Sequence, residues 1–119
     1  DVARRFILIS ESMEDLDARL KKRKSPDIVV IDSFQYTQMS FKEYQEFKAR
    51  HRDKLLIFIS QADGNKPSGR TAVSVMFDAA LKIWVEGYRA ISKGRYFGNL
   101  GYYTIWKERA DIYWGETKE

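Results

Sequence analysis

Two polar side chains stand at the ends of two strongly apolar runs, and they are the residues best placed to do chemistry. Asp32 follows the β-branched run 28–31, and Gln61 follows the apolar run 55–59 after Ser60. Unbroken apolar runs of this length are typical of strands buried on both faces of a parallel sheet covered by helices. Asp32 and Gln61 would then lie at the carboxyl edge of that sheet, where open α/β proteins place their ligands.

The carboxylate of Asp32 is costly at such a position unless it faces solvent or a cation, because an unpaired buried charge is strongly disfavoured. A ligand-binding edge explains its presence. A plain α/β sheet whose strands happen to end in polar residues explains it as well. On these two strands alone, both interpretations stay open.

Four cationic side chains stand in or next to segments rich in turn residues. Lys66 and Arg70 belong to segment 61–70, a long loop with Gly, Pro and Asn. A loop of this kind is either functional or flexible. Lys93 and Arg95 lie two residues apart on a predicted strand, so both side chains share one face. A solvated hairpin edge accounts for that pair equally well.

Several kinds of catalytic site are excluded by residue type. The chain has no cysteine, which rules out disulfides and thiolate metal sites, and a single histidine, His51. No acidic or nucleophilic residue stands at a sequence spacing from His51 that is typical of a catalytic or metal-binding motif. We therefore expect a surface position near a helix end, with no catalytic triad and no zinc site. No G-x-x-x-x-G-K-[ST] phosphate loop occurs in the sequence.

The totals describe a folded chain that forms a single domain, 1–119, or part of one. Hydrophobic residues make up 44% and aromatic residues 14%, which fits a globular chain. The net charge of +4 permits contact with nucleic acid without demanding it. No run approaches about 18 apolar residues, so we expect a cytoplasmic protein with no membrane contact. The chain begins at Asp1 rather than Met, as an internal piece of a longer polypeptide would.

The remaining pattern predicts alternating strands and helices followed by short strands. Strands are expected at 5–10, 27–32 and 55–60, mutually parallel, and helices at 13–23, after Ser40 and at 71–80. Ser40 and Glu43 match the capping box S-x-x-E. From Leu81 to Trp114, clusters of β formers alternate with turn residues, which predicts antiparallel hairpins that extend the parallel sheet.

Two further groups of residues have a structural explanation that is simpler than nucleic-acid binding. The basic run 21–24 closes the predicted helix at 13–23, where cations interact favourably with the helix dipole, and a solvated helix end explains it. Aromatic residues in the last third of the chain are more often core or sheet-packing residues than base-stacking platforms. These aromatic residues are Trp84, Trp106, Tyr113 and Trp114.

Taken in order, the motifs resemble the C-terminal half of a RecA-like P-loop ATPase core, closest to DnaB-like replicative helicases and RadA. Ile31-Asp32-Ser33-Phe34-Gln35 is similar to the family's IDxxQ, which carries the Walker B aspartate, and Ile59-Ser60-Gln61 is similar to its SQ strand end. Pro67-Ser68-Gly69 with segment 77–81 resembles the SG…aD.vl region, and 93–98 resembles the KxRxG hairpin.

The resemblance implies a role for each matched residue. Asp32 would hold a magnesium ion, directly or through water, and Gln61 would sense the γ-phosphate of ATP and transmit its presence to the adjoining loop. Lys93 and Arg95 would act in trans, reaching the nucleotide bound by a neighbouring subunit of a homo-oligomer.

The resemblance also implies DNA as a partner. Loops 33–40 and 61–70 would lie where the family contacts nucleic acid, with Lys66 and Arg70 as phosphate contacts. For the chain alone we expect weak, non-specific DNA binding that falls steeply with salt.

Two parts of the family's ATPase site are missing from the chain, namely the phosphate loop and the catalytic glutamate. Glu11 is no substitute, because the family places a further strand–helix unit between that glutamate and the Walker B strand, whereas one helix separates Glu11 from Asp32. We expect a RecA-like α/β partial domain whose intact parent binds ATP and Mg²⁺, with neither bound by this chain alone. A degenerate, non-hydrolysing paralogue is the other option. The alternative function is a non-catalytic α/β module that binds nucleic acid or a protein partner.

Overall fold

The alternation of apolar strands and amphipathic helices produces a mixed α/β chain with small sheets and several helices, seen in a computed structural model that describes residues 5–93 and 101–115. The elements are α1 (Met13–Leu20), β1 (Ile28–Asp32), α2 (Phe34–Thr37), α3 (Phe41–Arg50), β2 (Leu55–Ile59), β3 (Ala62–Asp63), β4 (Lys66–Pro67), α4 (Arg70–Asp78), β5 (Ile83–Glu86), β6 (Arg89–Ser92), β7 (Tyr102–Thr104) and α5 (Lys107–Tyr113). Two compact units divide the chain between Val73 and Ser74.

The first unit is built on β1 and β2, which pair in parallel as predicted. The register runs from Ile28 opposite Leu55 to Asp32 opposite Ile59. Because parallel strands need a crossover connection, the chain between them forms α2 and α3. The same register brings the two strand ends to one edge of the sheet.

One face of this sheet is packed and the other is exposed, so the prediction of strands buried on both faces is wrong for β1 and β2. Val29 and Ile31 join Leu20 of α1 and Phe47 of α3 in a buried cluster. The alternate side chains remain largely exposed, Ile28 at 61% among them. The apolar runs of β1 and β2 contain no polar residue that would mark an exposed face. Successive side chains of a strand nevertheless point to opposite faces of the sheet, and helices cover only one of these faces.

The predicted strand at 5–10 is not formed. Residues 6–12 have no regular secondary structure, and the apolar side chains of Phe6, Ile7 and Leu8 are exposed. A strand needs a hydrogen-bonded neighbour, and in the described part of the chain β1 and β2 pair with each other only. Strong β propensity therefore did not suffice here.

The helices of the first unit begin where local capping predicts. Ser40 Oγ accepts a hydrogen bond from the backbone N–H of Glu43 at 3.1 Å, and the Glu43 carboxylate accepts one from the Ser40 N–H at 3.0 Å. This reciprocal pair is the capping box expected from the sequence. Helix α1 ends at Leu20, earlier than predicted, and the basic run 21–24 follows it as an exposed turn.

His51 is buried, which corrects the predicted surface position. Its side chain is almost fully enclosed at the end of α3, and its Nε2 lies 2.6 Å from Asp17 Oδ1 on α1. Arg50 Nε lies 2.9 Å from the same oxygen, and Lys21 Nζ lies 3.1 Å from Asp17 Oδ2. The acidic partner is 34 positions away in sequence, so no local spacing could reveal it.

The second unit contains a three-stranded antiparallel sheet in the order β5–β6–β7. Antiparallel pairing was predicted correctly, but these strands form a sheet of their own instead of adding to the β1–β2 sheet. The β5–β6 turn places both central residues, Gly87 and Tyr88, at positive φ, 56° and 62°. This conformation matches the twist of a two-residue hairpin.

The predicted antiparallel hairpins from Leu81 to Trp114 are wrong for residues 111–114, because these residues belong to the end of α5 and its C-cap. Ala110 on this helix is fully buried, and Lys107 Nζ lies 2.6 Å from Asp111 Oδ2, a pair with the i,i+4 spacing of a helix. Packing of one helical face overrode the β propensity of the aromatic residues that follow.

The aromatic side chains of this unit are core residues only in part. Trp84 and Trp114 are half-buried, and Trp114 Nε1 donates a hydrogen bond to the Gly87 carbonyl at 3.1 Å. Trp106 and Tyr113 are exposed by about half of their surface, at 49% and 54%. Across residues 5–93 and 101–115, no helix is long and apolar enough to cross a membrane.

Candidate functional site

The carboxyl edge of the β1–β2 sheet brings together the two strand ends that the sequence singled out. Asp32 is the last residue of β1 and pairs with Ile59, the last residue of β2, and Gln61 follows two positions later. Both Asp32 and Gln61 are exposed, so the carboxylate faces solvent, where its charge is tolerated.

A single side chain, Gln35, links this edge to the segment that follows β2. Its Nε2 donates to Ser60 Oγ at 2.7 Å and to the Ser68 carbonyl at 2.9 Å. Its Oε1 accepts from the backbone N–H of Gln61 at 2.9 Å. Three hydrogen bonds thus join Gln35, three positions after the end of β1, to both ends of the segment 60–68.

Gln35 is held in place by the short helix α2 on which it lies. Its neighbour Phe34 is buried and packs edge-on against Phe58 and Tyr44, with ring centroids 5.8 Å and 6.4 Å apart. Thr37 Oγ1 donates to the Phe34 carbonyl at 2.7 Å and closes the turn. The backbone that carries Gln35 is therefore anchored in the core beneath the edge.

The segment predicted as a long loop, 61–70, contains a small antiparallel hairpin. Strands β3 and β4 pair Ala62 with Pro67 and Asp63 with Lys66. The Ser68 N–H donates to the Gln61 carbonyl at 2.7 Å and closes the base of the hairpin. Gly64, at a φ of 65°, supplies the positive φ that its tight turn requires.

The two cations predicted to contact nucleic acid lie on and after this hairpin. Lys66 is on β4 with an exposed side chain, and Arg70 is the first residue of α4, also exposed. The structure thus places the ammonium of Lys66 in the segment that Gln35 ties to the Asp32 edge.

A metal ion at this edge would have Asp32 as its protein ligand. Within the described ranges, no three His, Asp or Glu side chains come together in a group that could hold a metal. Magnesium commonly takes only one or two carboxylates and fills its remaining positions with water and substrate phosphates. The exposed carboxylate of Asp32 fits that mode of binding and does not fit a site made of protein ligands alone.

Lys93 and Arg95, predicted to act in trans, are only partly covered by the structure. The ammonium of Lys93 lies 4.3 Å from the centre of the Trp84 ring, a cation–π contact, and its backbone N–H donates to the Lys82 carbonyl at 2.9 Å. Arg95 lies outside the described residues.

A separate polar cluster surrounds Asp17 in the first unit, next to a cavity of about 160 Å³ between α1 and α3. Partial burial favours the neutral carboxyl, but hydrogen bonds from Arg50, His51 and Lys21 outweigh it and lower the pKa of Asp17 to about 2. Neither Asp32 nor Gln61 lines this cavity. We interpret the cluster as structural, because it joins two helices through an ionised carboxylate.

Sequence reasoning missed the role of Gln35, although the residue was part of the matched IDxxQ pattern. The one feature of the sequence that indicated a bridging role was the amide side chain itself, which carries both hydrogen-bond donors and an acceptor. Ser60 and Ser68 gave no signal, because their contacts depend on chain segments that meet only in the folded protein.

The chain was compared with protein-family models, with curated proteins and with solved structures. No family model matches it, and neither of the other two searches returned a match.

Proposed function

We propose that the chain is the C-terminal part of a RecA-fold ATPase of the helicase or recombinase type, which acts on DNA as a homo-oligomer. The observation that supports this most is the parallel register of β1 and β2, which puts Asp32 and Gln61 at the same carboxyl edge. Ligands of open α/β sheets bind at this edge.

In this proposal each candidate site residue has a defined task. The Asp32 carboxylate binds the magnesium ion of Mg·ATP, and the ion supplies charge neutralisation at the phosphates. The Gln61 amide hydrogen-bonds the γ-phosphate, and Lys93 with Arg95 reaches the nucleotide of a neighbouring subunit. Solvent exposure of Asp32 and Gln61 is compatible with these tasks because both groups remain open to a ligand.

The uncovered face of the sheet gives further support for a larger parent domain. Ile28 and Val30 of β1 and Leu55 and Ile57 of β2 remain between 41% and 61% exposed. Parallel sheets are almost always covered on both faces. Additional polypeptide packed on this face would complete the second layer.

The alternative is a non-catalytic α/β module that binds nucleic acid or a protein partner. It is favoured by one observation, the lack of a phosphate loop in the 119 residues. Exposed aromatic side chains such as Tyr103 and Trp106 also suit a binding surface.

The coding sequence upstream of Asp1 separates the two proposals. For the ATPase we expect a phosphate-loop motif about 80–120 residues before Asp32, the span that the required βα units occupy. The longer polypeptide should hydrolyse ATP, and Asp32→Asn should abolish hydrolysis. Asp27→Asn, one residue before the start of the same strand, is the matched control and should leave the rate unchanged. An Asp32→Asn variant with full activity would contradict the proposed site.

The chain by itself gives a complementary test. Without a phosphate loop it should neither bind ATP tightly nor hydrolyse it. Turnover by the purified 119-residue chain that Asp32→Ala abolishes would contradict this expectation.

A further inference from the structure

The side chain of Gln35 makes contacts that the proposed ATPase site does not require. It bonds three groups in two places, Ser60 and Gln61 before the β3–β4 hairpin and Ser68 after it. A glutamine at a sheet edge can satisfy its amide with water and needs no protein partner. Through these contacts Gln35, which lies three positions after Asp32, holds both ends of the hairpin.

The hairpin has little else to hold it. Each of its strands is two residues long, and Ala62 to Lys66 are all exposed. Short, exposed elements with few buried contacts open at low free-energy cost. Two ladder pairs, the Ser68–Gln61 backbone bond and a hydrogen bond from Ser60 Oγ to the Gln61 carbonyl lie within the hairpin and its base, whereas the Gln35 amide joins the hairpin to α2.

We propose that Gln35 is a positioning residue for nucleic-acid binding: its amide holds the β3–β4 hairpin at the carboxyl edge of the sheet, so that Lys66 can contact a backbone phosphate. This inference rests on the proposed DNA contact through Lys66. It adds a residue that sets the affinity without touching the DNA.

The chemistry of the clamp requires an amide. Two of its bonds use the N–H donors of Nε2 and one uses the Oε1 acceptor. Glutamate has the same size and keeps the acceptor, but it has no donors when ionised. A carboxylate at position 35 would face the Ser68 carbonyl, an acceptor, and repel it. Gln35→Glu should therefore release the hairpin without creating a cavity.

The test measures binding of a fluorescent single-stranded dT oligonucleotide to the full 119-residue chain across a salt series. Gln35→Ala and Gln35→Glu should each lower the affinity about tenfold at low salt, as expected for one lost charge-assisted contact. The slope of log K against log salt should fall by about one unit. In a Lys66→Ala background, Gln35→Ala should cause no further loss of affinity. The phosphate contact that Gln35 positions is the one made by Lys66, and Lys66→Ala has already removed it.

Three controls separate positioning from general damage. Gln45→Glu adds the same charge to an exposed residue of α3, outside loops 33–40 and 61–70, and any loss it causes is the non-specific charge effect. Hydrogen exchange at the Gln61 amide should speed up in Gln35→Ala, which removes the Oε1 acceptor of this N–H, and not in Gln45→Glu. Ser60→Ala removes one acceptor of the clamp and should give a smaller loss, so it decides the matter if Gln35→Ala does not fold.

Two outcomes overturn the inference in distinguishable ways. If Lys66→Ala weakens binding but both Gln35 variants bind like Gln45→Glu, while the Gln61 amide of Gln35→Ala exchanges fast, hairpin position does not matter and the role of Gln35 is wrong. If Lys66→Ala itself changes neither affinity nor slope, the proposed DNA contact is wrong and the inference falls with it.

Discussion

His51 Nε2 lies 2.6 Å from Asp17 Oδ1, and this contact joins the end of α3 to the middle of α1 across 34 positions of the chain. The Asp17 carboxylate is ionised, since its pKa is lowered to about 2, so it accepts the hydrogen bond and Nε2 donates. The side chain of His51 is almost entirely enclosed, and that of Asp17 is only 18% exposed. A buried donor and its charged acceptor therefore depend on each other.

Asp17→Asn should lower the free energy of unfolding by about 2 kcal/mol at pH 7. The figure follows from the lowering of the pKa from 3.8 to about 2, at about 1.36 kcal/mol per pKa unit. Urea unfolding followed by far-UV circular dichroism measures it. Asp27→Asn, an exposed residue outside the cluster, is the control and should lie within about 0.5 kcal/mol of the wild type. Equal stabilities for the two variants would show that the cluster contributes nothing.

The contribution of Asp17 should disappear in acid. A carboxyl group whose pKa is lower in the folded than in the unfolded chain binds fewer protons when folded, so its stabilisation is complete above the unfolded value of about 4. It is lost as the pH falls through the folded value of about 2. The stability difference between wild type and Asp17→Asn should be constant from pH 7 to about pH 5, shrink as the pH falls further and reach zero below about pH 2. A difference that grows on acidification would contradict this assignment.

Gly87→Ala should destabilise the second unit far more than Gly101→Ala. Both glycines have positive φ, 56° and 74°, so both substitutions strain the backbone. A Cβ at Gly87 would also lie 2.6 Å from Trp114 Nε1 and collide with the Tyr113 ring, whereas a Cβ at Gly101 meets open space. We expect the collision to add about 1–3 kcal/mol.

Tryptophan fluorescence during urea unfolding can measure the Gly87 effect, because all three tryptophans lie in the second unit. Gly101→Ala is the matched control for backbone strain. Equal unfolding midpoints in the two variants would mean that the Tyr113 and Trp114 rings move aside at no cost.

Replacing Lys66 and Arg70 together by alanine should weaken DNA binding uniformly across sequences. Each phosphate contact that is lost should lower the salt slope by about one unit. Lys42→Ala with Arg52→Ala also removes two exposed cations, one on α3 and one just after it, and controls for net charge. Binding of an oligonucleotide in a salt titration is the measurement. If the Lys66/Arg70 variant behaves like the Lys42/Arg52 control, the hairpin and the start of α4 are not the DNA-binding surface.

In the longer polypeptide, Arg95→Ala should abolish ATP hydrolysis and leave ATP binding nearly intact. A cationic finger supplied by a neighbouring subunit contributes roughly 10³–10⁵ in rate. Mixing this variant with a subunit that lacks the phosphate-loop lysine should restore some activity. Some interfaces in the mixture pair an intact phosphate loop with an intact Arg95. A mixture that assembles but remains inactive would rule out action in trans.

Local patterns in the sequence were enough for the elements whose causes lie within a few residues. The capping box of Ser40 and Glu43, the apolar strands β1 and β2, helix α4 and the antiparallel pairing after Leu81 were all predicted. The position of Asp32 at the end of β1 followed from the same local reasoning. Periodicity and capping act over three or four positions, so the sequence displays them directly.

Tertiary structure alone decided the features that depend on distant partners. The segment 5–10 has the composition of a strand but no hydrogen-bonded neighbour in the described chain, and 111–113 became helical because one face of α5 packs. The clamp of Gln35 spans 25–33 positions, and the contact of His51 with Asp17 spans 34. Hydrogen bonds at such separations exist only after packing has closed the intervening chain, so the sequence determined which side chains could bond and the fold determined which of them meet.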